Sequence, residues 1–186
     1  MKRIFDIILS IILLVVLMLP MSFIALSVRI SSSGSVLYWS QRVGKKGVFF
    51  KMPKFRSMRV NTPVVATHLM KRPDKFLSPI GRLIRCSSLD ELPQLFSILK
   101  GDMSFVGPRP ALFNQSDLIA LRKESNVDYL IPGITGWAQV NGRDELSIAD
   151  KVNFDLEYLN NRSLLFDLKI LWMTLVKVIK RAEVSH

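Results

Sequence analysis

Two adjacent carboxylates, Asp90 and Glu91, stand in the run SLDELPQLF, with Arg82 and Arg85 just before them and a Pro-Arg-Pro corner around Arg109 beyond. Carboxylates close to several guanidinium groups suit a divalent cation bound together with a phosphorylated substrate. The acids hold the metal while the arginines neutralise phosphate. Pro93 is tolerated in a helix's first turn, where its missing N–H would have no partner anyway, so a helix is expected to begin near residues 88–90. Gly101 suits the position just past its end. Leu92, Leu95, Phe96 and Leu99 follow the i, i+3, i+4, i+7 pattern of one buried face. Both acids then fall at the positive end of the helix dipole, which favours their ionised forms. Acidic residues at that place also serve as plain helix caps, and local pattern alone leaves both readings open.

Other elements must bring further groups to this pair. Residues 36–41 and 48–52 read as two short strands, joined by the turn Gly44-Lys45-Lys46-Gly47. Lys54 and Arg56 follow in KFRSM, on a loop or short helix, as candidate phosphate ligands or simply as a solvated basic face. An amphipathic helix is expected over 111–127. Pro132-Gly133 and Thr135-Gly136 then force an irregular loop beside Trp137. Asn141-Gly142-Arg143 makes a second turn that places a guanidinium where it can meet an anion. Helices are expected over 147–160 and 163–180. The second carries Leu164, Leu165, Leu168, Leu171, Trp172, Leu175 and Ile179 on one broad face, flanked by Lys169 and Lys177. That face suits the membrane interface and equally a packed core. The fold class is mostly α with a small β-hairpin (α+β).

Composition narrows the partners. The 186 residues leave room for one domain. Hydrophobic residues make up 49 % of the chain and the net charge is +11, with a mean hydropathy of +0.27. No acidic residue falls between Asp6 and Asp74, while Arg42, Lys45, Lys46, Lys51, Lys54, Arg56 and Arg59 crowd one stretch. A basic surface beside an apolar segment is drawn to anionic membrane lipids. Zinc spacing, a helix-turn-helix pattern and RNA-binding signatures are all missing, so nucleic acid is not an expected partner. Cys86 is the single cysteine, which excludes an internal disulfide framework. With His68 and His186 the only histidines, neither a Cys/His catalytic pair nor a zinc site is expected.

Residues 7–28 carry no charge, nominally enough for a bilayer-spanning helix of about 20 residues. Pro20 interrupts the run and is expected to kink it. Lys2 and Arg3 precede it, and Arg29, Arg42, Lys45 and Lys46 follow. Basic flanks at both ends place both in the cytoplasm. A helix that enters and leaves by one face satisfies these features, with Ser22 available to hydrogen-bond backbone freed at the bend. A simple spanning helix is one alternative. A cleaved signal peptide is another, but Ala25 stands among large apolar neighbours that make a poor cleavage site.

The run SLDELPQLFSILKGDMSFVGPRP, with KFRSM at 54–58 and PGITGWAQVNGR at 132–143, resembles the bacterial sugar transferases known as monotopic phosphoglycosyl transferases. The motifs occur in the family's order, and the similarity extends over essentially the whole chain. Membership implies transfer of a sugar-1-phosphate from a UDP-sugar to a polyprenyl phosphate such as undecaprenyl phosphate, releasing UMP and initiating glycoconjugate assembly, lipopolysaccharide included. It also implies Mg²⁺ as cofactor, held by Asp90 and Glu91. Asp90 would be the nucleophile of an aspartyl-phosphosugar intermediate, and Glu91 would hold the metal or handle the acceptor's proton. Arg85, Arg109, Lys54, Arg56 and Arg143 would bind substrate. The same resemblance implies a re-entrant membrane helix over 1–30 and a cytosolic catalytic domain over 31–186, on the cytoplasmic face of the bacterial inner membrane. Two departures stand out: Leu19 precedes Pro20 where the family often has serine, and residues 62–69 lack the acidic residues of many relatives. Direct transfer in a ternary Mg²⁺ complex is a rival mechanism, and a non-catalytic membrane-tethered anion-binding protein is a rival class. No motif identifies the sugar.

Overall fold

A computed structural model describes residues 1–63, 73–142 and 145–184. The apolar N-terminal run forms one helix, α1 (Lys2–Ser31), which is long and apolar enough to cross a bilayer. It continues through Pro20 as a single helix, and Ser22 Oγ donates to Met18 O at 2.9 Å one turn back. One face of α1 packs on the protein along its whole length. Leu9, Leu13 and Leu17 lie against the main core, and Met21, Ile24 and Val28 lie against Phe55 and Ile84. The opposite stripe, with Val15, Val16, Met18 and Leu19 each about two-thirds exposed, faces outward.

Polar contacts fix the first turn of α1. The Arg3 guanidinium donates to the carbonyls of Ile98 and Leu99. These belong to the last turn of α3 (Gln94–Lys100), where a cation is favoured by the helix dipole; Ile98 O also accepts from Gly101 N at 3.1 Å. Asp6 is buried and accepts from Phe105 N at 3.3 Å. Lys2 reaches Asp167 and the Tyr158 hydroxyl.

The two expected strands form an antiparallel hairpin, β1 (Leu37–Val43) and β2 (Phe49–Phe55), each extending further toward its C-terminus than its hydrophobic pattern indicated. Lys46 and Gly47 in the intervening turn take left-handed φ values of 55° and 76°, which glycine adopts without a Cβ clash. Lys54 therefore lies within β2 rather than on a loop or helix, while Arg56 is on the loop just after it. The expected 111–127 helix also divides. Ala111–Leu112 pair with β1 as strand β4, and the helix proper, α4, runs over Ser116–Glu124. Gln115 Oε1 accepts from Leu112 N at 2.8 Å and closes the turn between them.

Beyond α4, the Pro-Gly segment is regular where an irregular loop was expected. Gly133–Thr135 (β5) pairs in parallel with Ser104–Val106 (β3). Gly107, Gly133 and Gly136 meet there so closely that a Cβ on Gly107 would stand 2.3 Å from Ile131 O, and one on Gly136 2.1 Å from Gly107 O. The short helix α5 (Trp137–Val140) leads to α6 (Ile148–Asn160), capped by Ser147, and α7 (Leu164–Val184). Helix α7 has two apolar faces. Phe166, Ile170 and Met173 enter the core with Leu95, Ile98, Met103 and Tyr158, while Leu165, Leu168, Trp172 and Leu175 remain exposed. The architecture is mostly helical with small sheets.

Candidate functional site

The dyad does not start a regular α-helix. Asp90 and Glu91 lie in a 3₁₀ turn (Leu89–Glu91) that precedes α3, and Pro93 stands at the α3 N-cap. Ser88 enters that turn in the left-handed region at φ 59°, a conformation rare outside glycine. Helix α3 ends at Gly101, φ 102°, as its spacing indicated. Its buried face is rotated from the expected one: Gln94, Leu95, Ser97 and Ile98 point inward, and Phe96 is 55 % exposed.

Sheet pairing supplies the cations. Tyr38, Ser40 and Arg42 of β1 face Lys54, Met52 and Phe50 of β2, so all six side chains leave the same side of the hairpin. From that side Lys54 Nζ donates to Glu91 Oε1 at 2.7 Å. Arg109 Nη2 donates to the same oxygen at 3.1 Å. Arg42 Nε donates to Ser40 Oγ at 3.0 Å and its Nη1 to Pro110 O at 3.1 Å, which braces the Pro-Arg-Pro corner. Arg122 of α4 holds the other flank: Nη1 donates to Arg109 O at 2.8 Å, while Nη2 meets Asp155 Oδ2 of α6 at 2.7 Å.

The electrostatics separate the two acids. Burial raises the Asp90 carboxyl to a pKa of about 6, against the pull of Lys54, Arg85 and Arg109. The dipole argument gave the opposite direction; the acid is buried before a helix of only seven residues, and desolvation wins. Burial would also raise Glu91, but Lys54 and Arg109 together outweigh it and hold that carboxyl far below its usual range. Lys54 is itself pushed down by burial, with Glu91 opposing. Arg42 falls to about 10 through burial and the neighbouring Arg109 charge. The cations outnumber the carboxylates, so the site attracts a polyanion.

Of the residues singled out from sequence, the structure brings Asp90, Glu91, Lys54, Arg85 and Arg109 together. Arg56 turns to the preceding linker, where it donates to Ser35 O and Oγ at 2.8 Å each. Arg82 is exposed, 3.8 Å from Asp74. Arg143 lies outside the described residues, as does His68. Arg42 was visible only as one of a basic run; strand alternation from Lys54 back through the hairpin would have placed it on the site's side. Nothing local in the sequence pointed to Arg122 or Asp155.

No group of three or more His, Cys, Asp or Glu side chains gathers for a metal among the described residues. Two carboxylates suit Mg²⁺ nonetheless, since that ion is commonly held by one or two carboxylates plus substrate phosphates and water. Both cations contact Glu91 through Oε1. The donor set fits a metal that arrives with a phosphorylated substrate better than a permanently caged one.

A model of the bacterial sugar transferase family matches residues 1–181. The undecaprenyl-phosphate glucose phosphotransferase of Komagataeibacter xylinus is 40 % identical over 96 % of the chain and 36 % of its own length. The undecaprenyl-phosphate galactose phosphotransferase of Salmonella typhimurium is 38 % identical over 97 % of the chain and 40 % of its own length. An uncharacterized sugar transferase of Bacillus subtilis, EpsL, is 41 % identical over 96 % of the chain and 87 % of its own length. The chain thus spans well under half the length of the first two relatives.

Proposed function

Since the chain belongs to the bacterial sugar transferase family, we propose that it moves a sugar-1-phosphate from a UDP-sugar to undecaprenyl phosphate or a similar polyprenyl phosphate. The observation that carries this reading is a buried carboxylate, Asp90, beside Lys54, Arg85 and Arg109, with Glu91 fixing two of those cations. With a pKa of about 6, Asp90 is largely ionised at neutral pH and yet poorly solvated, as a nucleophile requires. Its oxygen attacks the β-phosphorus, and the bond from that phosphorus to the bridging oxygen breaks. UMP departs with that oxygen, leaving an aspartyl-phosphosugar. An oxygen of the polyprenyl phosphate then attacks the same phosphorus, frees Asp90 and gives the polyprenyl-diphospho-sugar.

Charge is the main obstacle, because anionic phosphate repels an anionic nucleophile. Arg109 and Arg85 neutralise phosphate oxygens on the donor, and Lys54 steadies Glu91. Mg²⁺, held by Glu91 and Asp90 with substrate oxygens, would add Lewis-acid neutralisation when bound.

The acceptor's phosphate lies at a membrane surface, and the fold suits that location. Helix α1 is tied to the catalytic domain at Lys2, Arg3 and Asp6 and again at Val28. Two ends anchored to one domain favour a re-entrant segment over one whose ends lie on opposite faces. The outward stripe of α1 and the exposed Leu165, Leu168 and Trp172 of α7 supply apolar surface for the cytoplasmic leaflet of the inner membrane. Asp90→Asn should reduce UMP release from a UDP-sugar, assayed with undecaprenyl phosphate in detergent, by at least 10³-fold while membrane recovery stays unchanged. Wild-type rates in that variant would exclude Asp90 as nucleophile.

A further inference from the structure

Behind the Pro-Arg-Pro corner lies a cleft of about 240 Å³, outside the dyad's own contacts. Its walls are apolar, formed by Val43, Pro108, Ile119 and Pro132, with Lys46 and Lys123 also lining it. One acidic residue lines it as well. The Oδ1 atom of Asp128 is buried and meets no hydrogen-bond partner among the described residues. Leaving such an acceptor unmatched costs free energy, more for a charged group than for a neutral one. Lys46 is held in place by its left-handed backbone and by Tyr129, whose ring centroid lies 5.3 Å from Nζ.

The cleft shares its wall with the site. Pro108 precedes Arg109, whose guanidinium meets Glu91, and Val43 follows Arg42, which braces the corner. A diphosphate bound across Arg109 and Arg42 therefore lies beside the cleft. The cleft's other walls come from the hairpin turn, α4 and the segment 127–132. Helix α1 packs instead chiefly on α2 (Pro79–Cys86), α3, β2 and β3. This placement separates the cleft from the apolar stripe and favours a water-borne ligand over a lipid tail.

We infer that this cleft receives the nucleobase of the donor, with the prolines and aliphatic side chains against its faces and Asp128 accepting its ring N–H. The assignment rests on the nucleotide-sugar reading above and adds a reason for base preference. Uracil carries a hydrogen on N3 that a carboxylate accepts; cytosine has a bare, electron-rich N3 that a carboxylate repels. Lys46 and Lys123 add positive charge along the ligand's path.

The test compares UMP and CMP binding to the full chain in detergent by titration calorimetry. Wild type should bind UMP at least tenfold more tightly than CMP. Asp128→Asn, which presents an amide N–H to cytosine N3, should bring the two affinities within threefold. Crosslinking of 5-iodo-UMP to wild-type protein, which needs no folded variant, should map to residues 119–132. An unchanged UMP/CMP ratio in a folded Asp128→Asn protein, or crosslinks confined to other segments, would overturn the cleft assignment and leave the transferase reading standing. Failure of wild type to bind UMP at all would overturn both.

Discussion

Asp90 and Glu91 are neighbours in sequence with opposite titration behaviour. The difference comes from the balance of burial and charge: Lys54 and Arg109 on one oxygen outweigh burial at Glu91, whereas at Asp90 burial outweighs the nearby cations. Glu91 is thus a fixed anion, while Asp90 titrates close to neutral pH, as its proposed role requires. The proposed transfer requires ionised Asp90, so its rate should fall tenfold per pH unit below about 6. A pH–rate profile checks this, and a limb near 4 would mean that Asp90 is not buried during turnover. The stability linkage has the opposite sense. Because the folded-state pKa exceeds the unfolded one, Asp90 contributes to stability below about 4 and loses that contribution as pH rises through about 6. Asp90→Asn should then be no less stable than wild type at pH 8, as urea denaturation would reveal. At this scale the sequence was informative: the acids, Lys54 and the Arg109 corner were all readable from residue type and motif. Arg42 did not stand out within its basic run, because finding it takes strand alternation carried from Lys54 back through the hairpin.

Elements hold these residues through contacts far apart in the chain. The corner at Arg109 is fixed by Arg42 on one flank and by Arg122 on the other, and Arg122 is fixed in turn by buried Asp155. Burial raises the Asp155 carboxyl although Arg122 opposes it. Removing the arginine leaves an uncompensated buried charge, so Arg122→Met should cost about 3–5 kcal/mol at pH 7.5. Acidification to pH 5.5 should shrink that loss by letting Asp155 take up a proton, and urea denaturation at both values measures it. An equal loss at both would contradict a charge-based cause. The hairpin was legible because Gly44-Lys45-Lys46-Gly47 separates two β-rich runs, and Gly101 marked the end of α3. Strands β3, β4 and β5 escaped notice because two or three residues carry no period, and their partners are distant in sequence: Ser104 pairs with Gly133, and Arg42 with Leu112. Pro93 limited α3 as expected, but its restriction acts at the N-cap, which left the dyad outside the regular helix.

At the scale of the whole molecule, α1 is a wall of the domain as well as an apolar segment. Its basic flanks, plain in the sequence, are used at one end as structural ligands: Lys2 for Asp167 and Arg3 for the end of α3. Length and hydropathy alone could not separate a spanning from a re-entrant helix, since both need the same apolar run. In the proposed reading, packing at both ends favours the re-entrant one. With Cys86 replaced by serine, single cysteines at Met1 and Ser33 should both react with a membrane-impermeant maleimide in inside-out vesicles and both be protected in intact cells. Labelling on opposite faces would contradict the re-entrant reading. Two relatives similar to this chain carry names that differ in the sugar, glucose in one and galactose in the other, so the sugar must be found by experiment. The most direct measurement is the intact mass of detergent-purified protein after exposure to Mg²⁺ and a panel of UDP-sugars without lipid acceptor. The account predicts a gain of one sugar-phosphate with the correct donor, absent in Asp90→Asn. UMP release that occurs only once undecaprenyl phosphate is added, with no mass gain before it, would contradict the covalent route and favour direct transfer.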